Sequence, residues 1–345
     1  MNVQLIRLND AVAMVEEPLL RPSDSCSHIM ALHLDVRTPG TLGVLRCIGS
    51  RDGRVHIPGF VDRSVLRVVE MDSEYAARMG PQLQIDGTEA ILSVLDEYGR
   101  TEFLGYEDPI LYRFDGAEDQ LHLYCTIPFY DPEEEGAVLY LGHASGPDLH
   151  SLTMQEPVLG PESGVHHGAK EPAIAPVSAE GHRYNLVEST DTEDGTTYSV
   201  LRSVIASDPS GPWEYGDIVL HPARRGEEWC AGHVSPGPFL PQSFLDVGDG
   251  KRVGFLNGRE TERWHGDTLG FGAFTIGLML YDYEQGVVEW ISEEPLIEDP
   301  DAHTITFASE FRQTAPDRGL IYAHVDDSFI RVYQVDATAL ESYLP

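Results

Sequence analysis

One short phrase recurs along the chain, and this internal period constrains the fold more than any other feature. A carboxylate, amide or small residue is followed by apolar residues and then often by proline. The copies are Glu17-Pro18-Leu19-Leu20-Arg21-Pro22, Gly80-Pro81-Gln82-Leu83-Gln84-Ile85, Glu156-Pro157-Val158-Leu159-Gly160-Pro161, Asp217-Ile218-Val219-Leu220-His221-Pro222 and Glu294-Pro295-Leu296-Ile297-Glu298-Asp299-Pro300. The first, third and fifth are close; the second and fourth are weaker. Between them lie pairs of apolar runs separated by Gly/Asp turns, the signature of hairpins. These pairs are Ile29–Asp35 with Leu42–Cys47, Ile110–Phe114 with Leu121–Thr126, and Ala173–Val177 with Tyr184–Glu188. Phe239–Leu245 with Val253–Leu256 and Phe307–Phe311 with Gly319–His324 complete the set. A third run usually follows, as in Val138–His143, Ser199–Ala206, Thr275–Tyr281 and Phe329–Val335. Three or four short strands repeated about five times predict an all-β, five-bladed β-propeller, whose radial blades leave few free edges. Helical periodicity is scarce, with one short turn expected at Ala337–Tyr343. Residues 1–345 are expected to form a single domain, with Gln4–Val15 completing the last blade and closing the ring.

The formal charge is −34, and only two of the 23 basic residues are lysine, Lys170 and Lys251. So acidic a surface repels itself in dilute buffer, and salt screens that repulsion. The composition reads as that of a salt-in halophile; an acidic enzyme from a GC-rich genome is the other reading. Nucleic acid is excluded as a partner, because phosphate binding needs clustered Lys and Arg. No apolar stretch is long enough to span a bilayer, and Met1–Arg7 has no signal-peptide character, so the cytoplasm is the expected location. Cys26, Cys47, Cys125 and Cys230 have no metal-ligand spacing. Three of them sit within or beside apolar runs and read as reduced, buried thiols.

Two phrases place a carboxylate directly before proline at the head of an apolar run, at matching points of successive repeats. They are Gly105-Tyr106-Glu107-Asp108-Pro109-Ile110 and Ala169-Lys170-Glu171-Pro172-Ala173-Ile174. Carboxylates recurring once per repeat point to one common axis, and a carboxyl in a partly dry site can deliver the proton that glycosidic cleavage needs. Asp108 and Glu171 are therefore the candidate catalytic pair, against the plainer reading of Asp-Pro as a turn opening a strand. Lys170, in a chain that almost never uses lysine, is a candidate phosphate ligand. His166, His167, His233, His265 and His324 form a loose set. Of these, His233 and His265, with Trp264, are candidate sugar-binding residues near loop glycines. Arg46, Arg259 and Arg263 could hold an anion, the plainer reading being surface ion pairs. No zinc motif is present, and no metal or organic cofactor is implied.

The order of these phrases resembles the mannoside phosphorylases and mannosidases of glycoside hydrolase family 130, which are five-bladed propellers. The resemblance is carried by the opening Glu17–Pro22 phrase, by Leu42-Gly43-Val44-Leu45-Arg46, by Gly105–Pro109, by Lys170-Glu171, and by Gly277–Asp282 and Ile330–Leu344. It implies that Asp108 is the general acid, that Lys170 helps bind phosphate, and that Glu107 and Arg46 contribute to substrate binding. The family usually has arginine where this chain has Ile110, and a different acid phrase where it has Glu171-Pro172. Those departures favour hydrolysis over phosphorolysis. Glu171-Pro172 also resembles the acid of the related family 43 and 32 glycosidases, which use three carboxylates, the first on blade one; Asp35 is the nearby candidate.

The leading expectation is an inverting hydrolase or phosphorylase of mannosides, with Glu171 as base. The partners would be a glycoside or oligosaccharide and, in the phosphorylase case, inorganic phosphate. The alternatives are an arabinosidase or xylosidase using Asp35, Asp108 and Glu171, and a non-catalytic propeller binding a glycan or a protein.

Overall fold

The computed structural model describes residues 3–35, 42–54, 57, 59–96, 101–131, 136–162, 164–225 and 227–345. Its strands group into five antiparallel blades. Blade one is His28–Leu34, Leu42–Asp52, Val61–Ser73 and Ala76–Gln82; blade two is Glu107–Tyr112, Leu121–Asp131, Gly136–Gly146 and Thr153–Met154. Blade three is Ala169–Ala173, Arg183–Glu193, Thr196–Ala206 and Glu214–Leu220; blade four is His233–Phe239, Lys251–Arg259, Phe274–Asp282 and Val287–Ile291. Blade five takes Thr306–Ala315, Arg318–Val325 and Phe329–Asp336 from late in the chain and Val12–Val15 from its start, with Leu5–Arg7 outside. The first strand of each blade packs against the first strand of the next, and blade five returns to blade one. These five strands therefore ring a central axis.

The ring closes as the sequence predicts, with Val12 opposite Val335 and Met14 opposite Tyr333. Burying Val12, Met14 and Val15 stabilises the closed form by on the order of 5 kcal/mol, from about 1.5–3 kcal/mol per large apolar side chain. Deleting Leu5–Val15 is expected to lower the unfolding free energy by at least that order, measured by urea titration. A loss below about 1 kcal/mol would mean the strand is a passenger.

The recurring phrase has one structural job in all five copies. Leu20, Leu83, Leu159, Leu220 and Ile297 each pair with the third strand of a blade, through Ile330, Leu66, Leu141, Leu201 and Ile276 respectively. The weaker second and fourth copies are thus structural equivalents of the others. Three details differ from the sequence reading. The first strand of blade three, Ala169–Ala173, lies ahead of the Ala173–Val177 run, and that of blade four begins at His233, ahead of the Phe239–Leu245 run. Its Pro236 and Pro238 look like strand breakers, but a strand facing the axis has a free side where a missing N–H costs nothing. The helix Thr88–Leu95 was not anticipated; its apolar face is only Ile91, Leu92 and Leu95, half-buried against the core, and two turns are too short to show a helical period. Cys26 and Cys47 are not free thiols but a disulfide, with their Cα atoms 5.5 Å apart. The turn before blade one, where Ser27 N–H donates to Ile48 O, brings Cys26 beside Cys47. Cys125 and Cys230 are buried free thiols, pushed up to about 12 by burial. No described helix is long and apolar enough to cross a membrane.

Candidate active site

The first strands of blades one, two and three bulge at the same place. One extra residue is inserted between Met30 and His33, between Glu107 and Ile110, and between Lys170 and Ala173. Within each bulge one residue adopts a left-handed backbone: Ala31 at φ 50°, Asp108 at φ 46° and Glu171 at φ 51°. A bulge re-aims the side chain it carries. The left-handed region is costly for a residue with a Cβ, and a following proline pushes its predecessor towards extended backbone. Asp108 and Glu171 violate both preferences. Such strain persists where the surroundings over-determine it, and it clusters at functional sites. The matching position on blade one is Ala31, so that blade offers no carboxylate there.

Asp108 is 5% exposed. Arg46 Nη1 donates to its Oδ1 at 2.9 Å, and its Oδ2 is buried without a hydrogen-bond partner. The same guanidinium donates from Nη2 to Glu107 Oε1 at 2.5 Å and from Nε to Ser64 Oγ at 2.9 Å, and it lies 3.5 Å from Asp62. Burial opposes the charge on Arg46, but Glu107, Asp108 and Asp62 outweigh it and raise its pKa. Glu107 is pushed up to about 7 by burial and by the charge of Asp108, against the pull of Arg46.

Glu171 is held from two sides. Ser235 Oγ donates to its Oε2, and Lys170 Nζ lies 3.5 Å from its Oε1. Burial, with the charges of Asp108 and Glu188, pushes its pKa up to about 8 despite Lys170 and Ser235. Lys170 also lies 3.5 Å from Glu188, its cross-strand neighbour, and Glu188 lies 3.0 Å from His233 Nε2. Burial resists the charge of Glu188, but His233 and Lys170 prevail and bring its pKa well down. A third group comes from blade five. Ala31 N–H and Ser309 Oγ both lie 3.4 Å from His324 Nδ1. With Nδ1 accepting from the backbone, the proton of the neutral ring sits on Nε2, which is 3.6 Å from Asp327 Oδ1. Burial drives His324 down to about 3, so the ring stays neutral.

Two cavities meet at these residues. A wide one of about 800 Å³ is lined by Arg46, Asp62, Glu107, Lys170, Glu188, His233, Arg259 and Asp327. A narrower one of about 350 Å³ runs past Ile110, Tyr112, Ile174, Pro238 and Phe311. Asp108, Glu171, Phe307 and His324 line both. The two carboxylates thus stand where a polar chamber narrows into an apolar channel, an arrangement able to hold a sugar and exchange protons with it. Among the described residues no group of three or more His, Cys, Asp or Glu side chains is placed to hold a metal ion.

Other candidates lie elsewhere. Asp35 is bound by Arg113, Nε to Oδ1 and Nη2 to Oδ2, both at 2.7 Å, and lines neither cavity. That buried pair occupies the carboxylate structurally, which removes it from the site. Trp264 is 70% exposed on the hairpin of Arg263–His265 with Thr268–Gly270, and it also lines neither cavity. The insertion carrying it projects from blade four. The side chain of His265 lies outside the described residues. Arg263 is a surface partner of Glu260 at 3.4 Å, and His166 and His167 are exposed. Sequence reasoning missed Asp62, Glu188, Ser235 and Asp327. A hairpin turning at Glu180-Gly181 would set Glu188 opposite Ala173; register shifts, including the bulge between Lys170 and Ala173, bring it opposite Lys170 instead.

No protein-family model and no curated protein matches the chain. Solved structures do. The chain is similar to a glycosyl hydrolase from Bacteroides ovatus, with TM-score 0.65, 14% identity and coverage of 97% of this chain and 94% of that one. It is similar to a β-1,2-mannobiose phosphorylase from Listeria innocua, with TM-score 0.57, 14% identity and coverage of 99% and 90%. It is also similar to MPT-4, a mannose phosphorylase from Leishmania mexicana, with TM-score 0.55, 13% identity and coverage of 95% and 90%. At these identities what is shared is the fold: the chain is a β-propeller of the architecture that these carbohydrate-active proteins use.

Proposed function

We propose that the chain is a glycoside-cleaving enzyme acting on mannosides, with Asp108 and Glu171 as its acid–base pair. One observation carries this reading. Two carboxylates on adjacent blades occupy the same strained bulge, each before proline, and both face two cavities at once. The mannose-active proteins of similar fold agree with the sugar. A three-carboxylate arabinosidase fits less well, because Ala31 stands at the matching position of blade one and Asp35 is committed to Arg113.

Hydrolysis is favoured over phosphorolysis. The wide cavity presents six carboxylates, Asp62, Glu107, Asp108, Glu171, Glu188 and Asp327, against the cations Arg46, Lys170 and Arg259. Lys170 is already shared between two glutamates and Arg46 among three acids. Free sugar is expected to form at the same rate with and without phosphate, read as sugar versus sugar-1-phosphate from a panel of mannosides and arabinosides in multimolar KCl. Phosphate-dependent sugar-1-phosphate would instead give Lys170 the phosphate role. No turnover, with sugar affinity indifferent to Asp108→Asn, would leave a binding module.

The resemblance maps the acid to Asp108. The surroundings favour the opposite allocation, since burial and neighbouring carboxylates hold the Glu171 proton in place. Glu171 keeps its proton to about pH 8, so it is the member able to protonate a leaving oxygen at neutral pH. Asp108, which lines both cavities, is then the member left to orient the attacking water. An acid works only while protonated, so kcat/KM is expected to fall as pH rises through about 8. A rise across that range would return the acid role to Asp108. Attack by water opposite the leaving group would invert the anomeric centre, which proton NMR of the first-formed sugar reads directly.

A further inference from the structure

The buried arginines of this acidic chain are matched with carboxylates. Arg46 meets Glu107, Asp108 and Asp62; Arg113 meets Asp35; Arg331 meets Asp299 and Asp301. Arg259 is half-buried and, among the described residues, has no carboxylate within ion-pair distance. It lines the wide cavity, yet among the described residues its side chain makes no ion pair and no hydrogen bond, and its Nε is buried without a partner. Its guanidinium lies over aromatic rings, with Cζ 3.9 Å from the Phe271 centroid and 5.5 Å from that of Phe274. The nearby Glu188 is engaged by His233 and Lys170. Burial pulls Arg259 down to about 10 against the more distant charges of Glu188 and Glu262, so it remains charged at neutral pH without a direct partner among the described residues.

An unpaired buried charge is costly, and a protein with 57 acidic residues has ample means to neutralise one. Ring stacking holds the guanidinium in place without using its N–H groups, which suits planar recognition of an oxyanion. We propose that Arg259 is a specificity residue that selects glycosides bearing a carboxylate, a uronic acid unit, bound beside Lys170 and Glu171. This rests on the glycoside-cleaving reading above and narrows its substrate class. One positive charge that has no direct partner among the described residues, set in a wall of carboxylates, suits a monoanion better than phosphate, which carries more than one negative charge near neutral pH.

Calorimetric titration of the full chain at pH 7 tests this, with mannuronate against mannose, glucuronate against glucose, and inorganic phosphate alone. At least one uronate is expected to bind about tenfold or more tighter than its neutral parent, the gain of a charge-assisted hydrogen-bond pair. Arg259→Gln should bring that ratio close to one. Arg259→Lys, which keeps the charge but loses the planar fork, should fall between. Thermal midpoints of both variants check that they fold. Equal binding of uronates and parents by the wild type, or a preference that survives Arg259→Gln, overturns the proposal. So does Arg259-dependent binding of phosphate without any uronate preference, which would make the anion a co-substrate. Binding needs no turnover, so the two readings fail separately. Cleavage of neutral mannosides without uronate preference sinks only this one; uronate preference without cleavage of any glycoside sinks only the other.

Discussion

Asp108→Asn is expected to lower kcat/KM by about 10²–10⁴-fold, the range that general acid–base groups contribute, while binding of intact substrate persists. Asparagine keeps the shape of the side chain and an oxygen to accept from Arg46, so the contact at 2.9 Å survives. What disappears is a carboxylate able to take or give a proton at the Oδ2 position, the buried atom that has no protein partner. Glu171→Gln should cost a similar factor on ordinary glycosides. The two variants then separate on a 2,4-dinitrophenyl glycoside, whose leaving group departs without protonation. The acid variant should recover most of its rate there and the base variant should not, so recovery is expected for Glu171→Gln. Recovery for Asp108→Asn would reverse the allocation. A loss below about tenfold for both on every substrate would remove the pair from the chemistry.

Arg46→Met should be the most damaging single change to stability in the site, by about 3–5 kcal/mol at pH 8. Breaking a buried charge cluster from one side leaves its partners uncompensated. Here those partners are Glu107, Asp108 and Asp62, all within 3.5 Å of the guanidinium. The sign of the pH dependence follows. Glu107 already sits at about 7 because burial outweighs the pull of Arg46; losing Arg46 raises it further. A buried carboxyl with a raised pKa is tolerated while protonated and costs stability once ionised. The deficit of the variant should therefore shrink between pH 8 and pH 5, seen as converging urea midpoints. An equal deficit at both pH values would mean that lost packing, not uncompensated charge, is the cause.

Much of this site was readable before any coordinates, for a definite reason. Asp108-Pro109 and Glu171-Pro172 are local phrases, and a repeat fold turns local phrases into spatial neighbours around its axis. The meeting of Arg46 with Glu107 and Asp108 was not readable in the same way, since it spans 61 and 62 residues and depends on how blade one seats against blade two. His324 stood in view only as one histidine among several. Its position follows from blade five packing against Ala31, a contact between residues 293 apart in sequence. Trp264 lines neither cavity, although Phe271 and Gly272, just beyond its hairpin, line the wide one. Arg259 and Arg263 looked alike, four residues apart, yet one lines a cavity and the other pairs on the surface.

The seam that closes the ring also sets an order of events in the cell. Val12–Val15 leaves the ribosome about 300 residues ahead of Phe329–Asp336, its partner. At about 5–20 residues per second, the early strand waits on the order of tens of seconds with an open edge. Through that interval blades one to four can assemble, but the wall contributed by Phe307, His324 and Asp327 does not yet exist. The carboxylate chamber is thus completed only by the same late step that seals the fold, so a prematurely stopped chain lacks both its seam and its full sugar pocket.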